Sequence, residues 1–146
     1  MEEYFGASPK LQAAAFYLRY KVFVLEQHIS PDLEFDSLDT PDRQYLVFFK
    51  EELPIATVRY QKIDEQTLNP DRLCVHPSFR KQGVGKKLLT HLEKHAKNEG
   101  CQKSILSAEI HAQTFYESLA YRVVSAPFEE DGITCIKMQK DLESTK

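Results

Sequence analysis

The stretch RKQGVGKK, residues 80–87, places two glycines among cationic side chains directly before an apolar helical pattern. The N-terminus of a helix presents unpaired backbone N–H groups and a partial positive charge. Gly83 and Gly85 carry no Cβ, so an anionic group can approach the backbone closely. These residue types at this spacing predict a cradle for a phosphate or pyrophosphate. The alternative is a plain strand-to-helix turn with solvated lysines.

Two common nucleotide-binding patterns fit this stretch poorly. The P-loop requires Ser or Thr after its Gly-Lys pair and a glycine five residues before the second one, whereas here Lys87 follows Lys86 and that glycine is absent. The dinucleotide fingerprint requires a third glycine at the position of Leu88. A nucleotide-binding regulator is therefore the weakest of the phosphate-binding alternatives.

The hexapeptide RKQGVG matches the Arg/Gln-x-x-Gly-x-Gly/Ala pattern of the GNAT-type N-acetyltransferases, and residues 72–89 resemble the strand–loop–helix block of that family. The resemblance implies that loop amides hold the pyrophosphate of acetyl-coenzyme A. It also implies that the preceding strand binds the pantetheine arm and offers a backbone N–H to the oxyanion. The cofactor-binding residues implied are Leu73, Cys74, Val75, Arg80, Lys81, Gln82, Gly83, Val84, Gly85, Lys86 and Phe115.

A second stretch, AEIHAQTFYESLAYR at 108–122, resembles the other marker block of the family. By that resemblance Tyr116 is the general acid that protonates the departing thiolate, because thiol and phenol pKa values lie within about two units of each other. Packing at a helix–sheet boundary is the alternative role for this tyrosine. The block departs from the family at Ala120, where glycine is usual, and at His111, where many relatives carry Asn.

No motif identifies the general base that must deprotonate the incoming ammonium group. Proximity to the substrate decides this role, and sequence does not show it. The candidates, which act directly or through water, are Glu109, His111, His76, Asp71 and Glu26.

The acceptor site is implied at the end of the first helix, RYKVFVLEQ, and in the acidic loop that follows. FVLEQ followed by Pro-Asp-Leu-Glu-Phe-Asp resembles a bacterial, mostly uncharacterised GNAT subgroup. The loop acids are most simply a solvated face, although they would also attract a cationic amine. Arg59 and Arg72 suggest instead an acceptor with a carboxylate or phosphate, so the choice stays open. The acids are Asp32, Glu34, Asp36, Asp39 and Asp42.

Two further patterns indicate structure rather than chemistry. His91 and His95 lie four apart on a helix, but HExxH and a third ligand are absent, so we expect surface histidines and no metal. Cys74 has no neighbouring base and is expected to be a buried apolar side chain. Three widely spaced cysteines form neither a disulfide framework nor a metal pair and favour a reduced, cytoplasmic protein.

The size and charge of the chain narrow the possible partners. The length of 146 residues predicts one domain, and the resemblance implies that residues 1–146 form a single N-acetyltransferase domain. A net charge of −3 gives no general basic field for nucleic acid, and we expect no membrane partner and a monomer or homodimer. The acidic start MEEYFGASPK has no apolar core of a signal peptide.

The elements that position these residues follow from hydrophobic periodicity. Their order predicts an α/β (α+β) fold with helices packed on a sheet. The resemblance implies the GNAT type of this fold, with a mixed, twisted sheet and helices on both faces. Helices are expected from Pro9 to Leu25, from Val84 to a stop at Gly100, and over 112–119. Loop 30–43 has room for one helical turn. Strands are expected at 45–50, 55–63, 71–77, 103–110, 121–126 and 133–139.

The function that these predictions support is direct transfer of an acetyl group from acetyl-coenzyme A to a primary amine of a small molecule or peptide. The alternative is a non-catalytic acyl-coenzyme A sensor that kept the cradle and lost the chemistry. Turnover distinguishes the two, because a sensor binds the cofactor and releases no thiol.

Overall fold

A computed structural model describes residues 1–142. The helices are α1 (Pro9–Arg19), α2 (Pro31–Glu34), α3 (Val84–Asn98) and α4 (Gln113–Ser118). The strands are β1 (Glu2–Gly6), β2 (Gln44–Lys50), β3 (Leu53–Asp64), β4 (Thr67–Val75), β5 (Lys103–Glu109), β6 (Arg122–Val123), β7 (Phe128–Glu130) and β8 (Ile133–Asp141).

Helix α1 begins where the sequence predicts. Ser8 caps it by accepting a hydrogen bond from the Leu11 N–H (3.3 Å), and Pro9 occupies the first turn. After Arg19 the chain continues as a π-helical segment from Tyr20 to Glu26. The predicted helix is therefore present over its full length, but its second part is wider, a feature often associated with functional sites.

The residues group into two compact units. Among the described residues, the first comprises 1–61 and 72–92, and the second comprises 62–71 and 93–142. That residues 1–146 form one domain stays a prediction.

In the first unit, three strands pair antiparallel around the N-terminal helix. Strand β1 pairs with β2 from Glu2–Phe49 to Gly6–Tyr45, and β2 pairs with β3 across a bulge at Phe48 and Phe49. Strand β1 was not predicted from the sequence. The core face of α1 packs against the inward side chains of β2, in a cluster of Leu11, Ala14, Ala15, Tyr45, Val47 and Phe49.

In the second unit, the sheet contains both parallel and antiparallel pairs. The first residues of β4 run parallel to β5, with Thr67 opposite Lys103 and Leu68 opposite Ser104. The Asn69 side-chain amide then donates to the Ile105 carbonyl oxygen (2.8 Å). Strand β5 pairs antiparallel with β8, which also pairs with β6 and β7. The predicted mixed sheet with helices is confirmed.

Two strand predictions were wrong in their limits. Strand β4 begins at Thr67, whereas a start at residue 71 was predicted. The prediction was wrong because Asn69-Pro70 is a pattern typical of turns. The parallel pairing to β5 is made at Thr67 and Leu68, before the proline that lacks an N–H. The predicted strand over 121–126 is reduced to β6, and β7 replaces part of the expected turn before β8.

Ala120, which stands where the family usually carries glycine, lies in the turn after α4. Ala120 has a left-handed backbone conformation (φ +75°), and its N–H bonds to the Glu117 carbonyl oxygen (3.0 Å). Such a position after a helix normally holds glycine, because a Cβ there costs about 1–2 kcal/mol. Alanine is therefore strained where the family usually carries glycine.

We expect Ala120→Gly to stabilise the protein by about 0.5–1 kcal/mol, because relief of the strain exceeds the entropy that glycine adds to the unfolded chain. The measurement is thermal unfolding, with a rise of roughly 1–4 °C. Ala126→Gly is the control, at an exposed residue without positive φ, and should be neutral or destabilising. Equal effects of the two substitutions would contradict the strain at Ala120.

Candidate functional site

The glycine loop joins β4 to α3 through a short helical turn, Pro77–Phe79. His76 anchors this turn. Its N–H donates to the Ile55 carbonyl oxygen (2.7 Å), and its Nδ1 accepts from the Ser78 N–H (3.1 Å). The imidazole is therefore held neutral, and burial, followed by Lys21 and Arg80, lowers its pKa. The loop starts from a fixed point on the strand.

The loop backbone leaves open space beside its central glycine. Lys81 and Gly83 both have left-handed conformations (φ +62° and +77°). A Cβ built on Gly83 would meet no atom within 4 Å. The Lys87 N–H bonds to the Gly83 carbonyl oxygen (3.0 Å), which begins α3. The side chains from residue 80 to 83 are exposed, as is Lys86. This geometry fits an anion received by backbone and lysines.

Arg80 is arranged differently from the expected phosphate ligand. Its Nη1 and Nη2 donate to Oε2 and Oε1 of Glu26 (2.7 Å each), and its Nε donates to the Val75 carbonyl oxygen (3.2 Å). The hydrogen bonds from Arg80 lower the pKa of Glu26. Glu26 is thus a poor general base, and Arg80 is engaged with protein.

The strand before the loop alternates between core and solvent. Cys74 is buried and packs in a cluster with Leu18, Val22 and Phe23, whereas Leu73 and Val75 are half-buried. Burial, followed by the charge of Glu34, raises the pKa of the Cys74 thiol. The expected buried cysteine is therefore present. Only the backbone of residue 74 remains suited to a ligand.

Tyr116 lies on α4 in the second unit, between two aromatic rings. Its ring contacts Phe115 (5.0 Å between centroids) and Tyr121 (5.8 Å), both edge to face. Burial, followed by the charge of Glu109, raises the pKa of Tyr116. The phenol stays protonated, but the difference between its pKa and that of a free thiol is larger than the ordinary pKa values suggest. A thiolate formed in apolar surroundings would have its own pKa raised for the same reason.

Two base candidates, Glu109 and His111, precede Tyr116 by seven and five residues, and their side chains lie close to each other. His111 Nε2 is 3.7 Å from Glu109 Oε2, and the His111 side chain is 71% exposed. Glu109 is half-buried. The negative charge of Glu109 acts on the Tyr116 phenol. Asp71 is half-buried on β4. Because the acceptor nitrogen of neutral His76 already binds the Ser78 N–H, the base stays open among Glu109, His111 and Asp71.

Three of the five acids in the acidic loop are paired with arginines instead of being solvated, so the interpretation as a solvated face was wrong for Glu34, Asp36 and Asp39. Glu34 is 2% exposed and accepts from Arg19 Nε (2.9 Å). Asp39 accepts from Arg19 Nη1 (2.8 Å), and Asp36 from Arg59 Nη1 (2.7 Å). The exposed acids are Asp32 and Asp42.

Arg72 completes this group, which we call the buried ion cluster: Arg19, Arg59, Arg72, Glu34, Asp36 and Asp39. Arg72 Nε lies 3.1 Å from Glu34 Oε2 and its Nη2 lies 3.1 Å from Asp36 Oδ2. Arg59 and Arg72 are therefore occupied by protein carboxylates, and the suggestion of an anionic acceptor loses its basis.

Arg19 was missed by the sequence analysis, although a signal existed. It follows Ala15 by four residues and precedes Phe23 by four, so it lies on the apolar face of the first helix. A charged residue on a core-facing stripe predicts a buried partner. The acids of the following loop were the available partners.

Within residues 1–142, no group of three or more histidine, cysteine or acidic side chains is placed to hold a metal ion. His91 instead pairs with Glu3, and its ring contacts Phe48. The same residues contain no helix with the length and apolarity needed to cross a bilayer.

Comparison with known proteins identifies the family of the chain. The sequence profile of the acetyltransferase (GNAT) domain matches residues 11–142. The chain is 36% identical to the uncharacterized Bacillus subtilis N-acetyltransferase YjcF over 128 residues, which are 87% of this chain and 90% of that protein.

Solved structures show the same relationship. A Lactobacillus plantarum protein designated an N-acetyltransferase superposes with a TM-score of 0.93 at 38% identity, covering 97% of this chain and 98% of that one. An acyl-CoA N-acyltransferase from Pseudomonas aeruginosa superposes with a TM-score of 0.83 at 26% identity, covering 95% and 98%. The profile match spans nearly the whole chain, and the chain belongs to the GNAT family of acetyltransferases.

Proposed function

We propose that this acetyltransferase transfers the acetyl group of acetyl-coenzyme A to a primary amine of a small molecule or peptide, by direct attack of the amine. The observation that carries the proposal is the open, left-handed backbone at Gly83 immediately before α3. It provides N–H groups and a helix N-terminus to an anion without a side chain in the way. Acetyl-coenzyme A supplies the activated acetyl thioester.

The proposed cofactor contacts are divided between backbone and side chains. The amides from Lys81 to Lys86 receive the pyrophosphate, and Lys81 and Lys86 add attraction from the exposed side of the loop. Leu73 and Val75 face the pantetheine arm, and the backbone at Cys74 or Val75 donates to the oxyanion. A preorganised donor of this kind lowers the barrier by about 3–4 kcal/mol.

The proposed chemistry requires two proton transfers by the chain. A base takes a proton from the ammonium group before attack, and Tyr116 gives one to the sulfur as the C–S bond breaks. The second proton, which the nitrogen loses as the amide forms, returns to the Tyr116 phenolate through water. The Phe115 ring contacts the Tyr116 ring edge to face. The neutral phenol required for this donation is supported by the raised pKa of Tyr116.

The first test is thermal unfolding with acetyl-coenzyme A, with ATP and NAD as controls. Acetyl-coenzyme A at 100 times its Kd should stabilise the fold by about 2.7 kcal/mol, a shift of roughly 5–11 °C. Thiol release with a panel of amines then measures turnover. No shift at millimolar acetyl-coenzyme A would contradict the cofactor assignment. Binding without turnover on any amine would indicate a sensor.

A matched pair of glycine substitutions tests the cradle itself. Gly83→Ala should weaken coenzyme A binding at least tenfold, because its Cβ strains a left-handed residue and fills the open space. Gly85→Ala should change the Kd by less than threefold, because residue 85 lies within α3 and alanine suits a helix. Calorimetric titration measures both. Equal Kd values for the two variants would argue against pyrophosphate at Gly83.

A further inference from the structure

The motif implies that Arg80 binds phosphate, but its side chain binds other groups of the protein. Both terminal nitrogens face one carboxylate, Glu26, in a bidentate pair, and its Nε reaches the Val75 carbonyl oxygen. Three of the five guanidinium N–H groups are therefore committed to protein acceptors. Bidentate pairs of this geometry fix orientation more strictly than single ionic contacts.

The pair joins three segments of the first unit. Glu26 is the last residue of the π-helical segment, Val75 is the last residue of β4, and Arg80 opens the glycine loop. The Gln27 N–H bonds to the Val22 carbonyl oxygen (3.1 Å), which fixes the chain directly after Glu26. Arg80 thus holds the first residue of the loop to two ordered elements.

The loop needs such a restraint. Lys81, directly after Arg80, has a left-handed backbone (φ +62°) that costs a side-chain-bearing residue about 1–2 kcal/mol. Gly83 repeats that conformation two residues later, and residues 80–83 are exposed, so packing contributes little. A fixed Arg80 limits the conformations open to Lys81.

We propose that Glu26 and Arg80 form a positioning pair that holds the glycine loop in its cofactor-binding conformation, and that Arg80 acts through this pair rather than as a direct ligand of the pyrophosphate. The proposal rests on the proposed function, since it assumes that the loop binds pyrophosphate. It assigns Glu26 a role in cofactor affinity, although this residue carries the same charge sign as the ligand.

The sign of one substitution separates the two roles of Arg80. If Arg80 bound the pyrophosphate directly, Glu26→Gln would release its guanidinium and remove a repelling charge, so coenzyme A would bind more tightly. If the pair positions the loop, Glu26→Gln weakens binding despite the lost repulsion. We expect about fivefold weaker binding, the upper range for an exposed ion pair. Arg80→Lys should weaken it as well, because lysine cannot make the bidentate contact.

The experiment is calorimetric titration of coenzyme A into the full chain and these two variants, at low and at physiological ionic strength. The ratio of variant to wild-type Kd should shrink as salt screens the exposed pair. The donor acetyl-pantetheine lacks the pyrophosphate and serves as a control for structure. A general loss of structure would lower kcat/KM with this donor as much as with acetyl-coenzyme A. Its kcat/KM should fall less in Glu26→Gln than that of acetyl-coenzyme A.

The control pair is Arg122→Gln and Asp141→Asn, which removes an exposed ion contact of 4.0 Å in the second unit and should leave coenzyme A binding as in the wild type. Equal or tighter binding by Glu26→Gln would overturn the positioning pair alone. A wild-type chain that does not bind coenzyme A would overturn the proposed function, and the pair with it.

Discussion

Replacing Tyr116 with phenylalanine is expected to lower kcat at least a hundredfold while the Kd for acetyl-coenzyme A stays within about twofold. A positioned general acid contributes about 10²–10⁴ to a rate, and phenylalanine keeps the edge-to-face contacts with Phe115 and Tyr121. Thiol release measures kcat, and calorimetry measures the Kd. Tyr4→Phe is the control, at an exposed tyrosine.

The pH profile gives a second readout of the same residue. A general acid works only while protonated, so the rate it supports falls above its pKa. Because burial raises the pKa of Tyr116, the wild type should show no loss from this group up to about pH 10, the ordinary value of tyrosine. Retention of a third of the activity by Tyr116→Phe would reduce Tyr116 to a packing residue.

Local patterns predicted the loop and helix well because their determinants are local. Glycine at a left-handed position, proline in a first turn and apolar residues four apart act within a few residues of one another. The loop before α3 and the start of α1 at Pro9 were therefore accessible from sequence. Gly83 indeed adopts the conformation that its lack of a Cβ permits.

The partners of charged side chains were less accessible, because they depend on residues far apart in the chain. Glu34 and Arg72 are separated by 38 positions, and Glu26 and Arg80 by 54. A run of acids is usually solvated, and no local rule distinguishes Glu34, at 2% exposure, from its exposed neighbour Asp32. The general base remains open for the same reason, since distance to the acceptor decides it.

Removing one member of the buried ion cluster leaves buried charges without a partner, so Arg19→Met is expected to cost about 3–5 kcal/mol. Arg19 is fully buried, and its removal takes a partner from Glu34 and from Asp39. Urea unfolding at pH 7 measures the loss, which corresponds to a fall in Tm of roughly 6–20 °C. Arg122→Met, in a pair with both side chains more than half exposed, should cost almost nothing.

The pH dependence of that difference identifies the carboxylate responsible. Burial alone would raise the pKa of Asp39, but hydrogen bonds from Arg19 and Tyr45 outweigh it and hold the pKa well below its usual range. A depressed pKa contributes stability that is complete above the unfolded value, near 4, and is lost as pH falls toward the folded value. Glu34 acts in the opposite sense, because burial raises its pKa and outweighs Arg72 and Arg19.

The milder variant Asp39→Asn separates these contributions if Arg19→Met fails to fold. It removes the charge and leaves an amide oxygen as an acceptor for the Tyr45 hydroxyl, which donates to Asp39 in the wild type (2.8 Å). The wild type should exceed this variant in stability at pH 7, and the gap should narrow steadily below pH 4, because protonation of Asp39 removes the same charge. A gap that is independent of pH would contradict a stabilising contribution from the Asp39 charge. The contacts of Arg19 with the rings of Phe16 and Phe35, which this variant keeps, would then account for the cost of Arg19→Met.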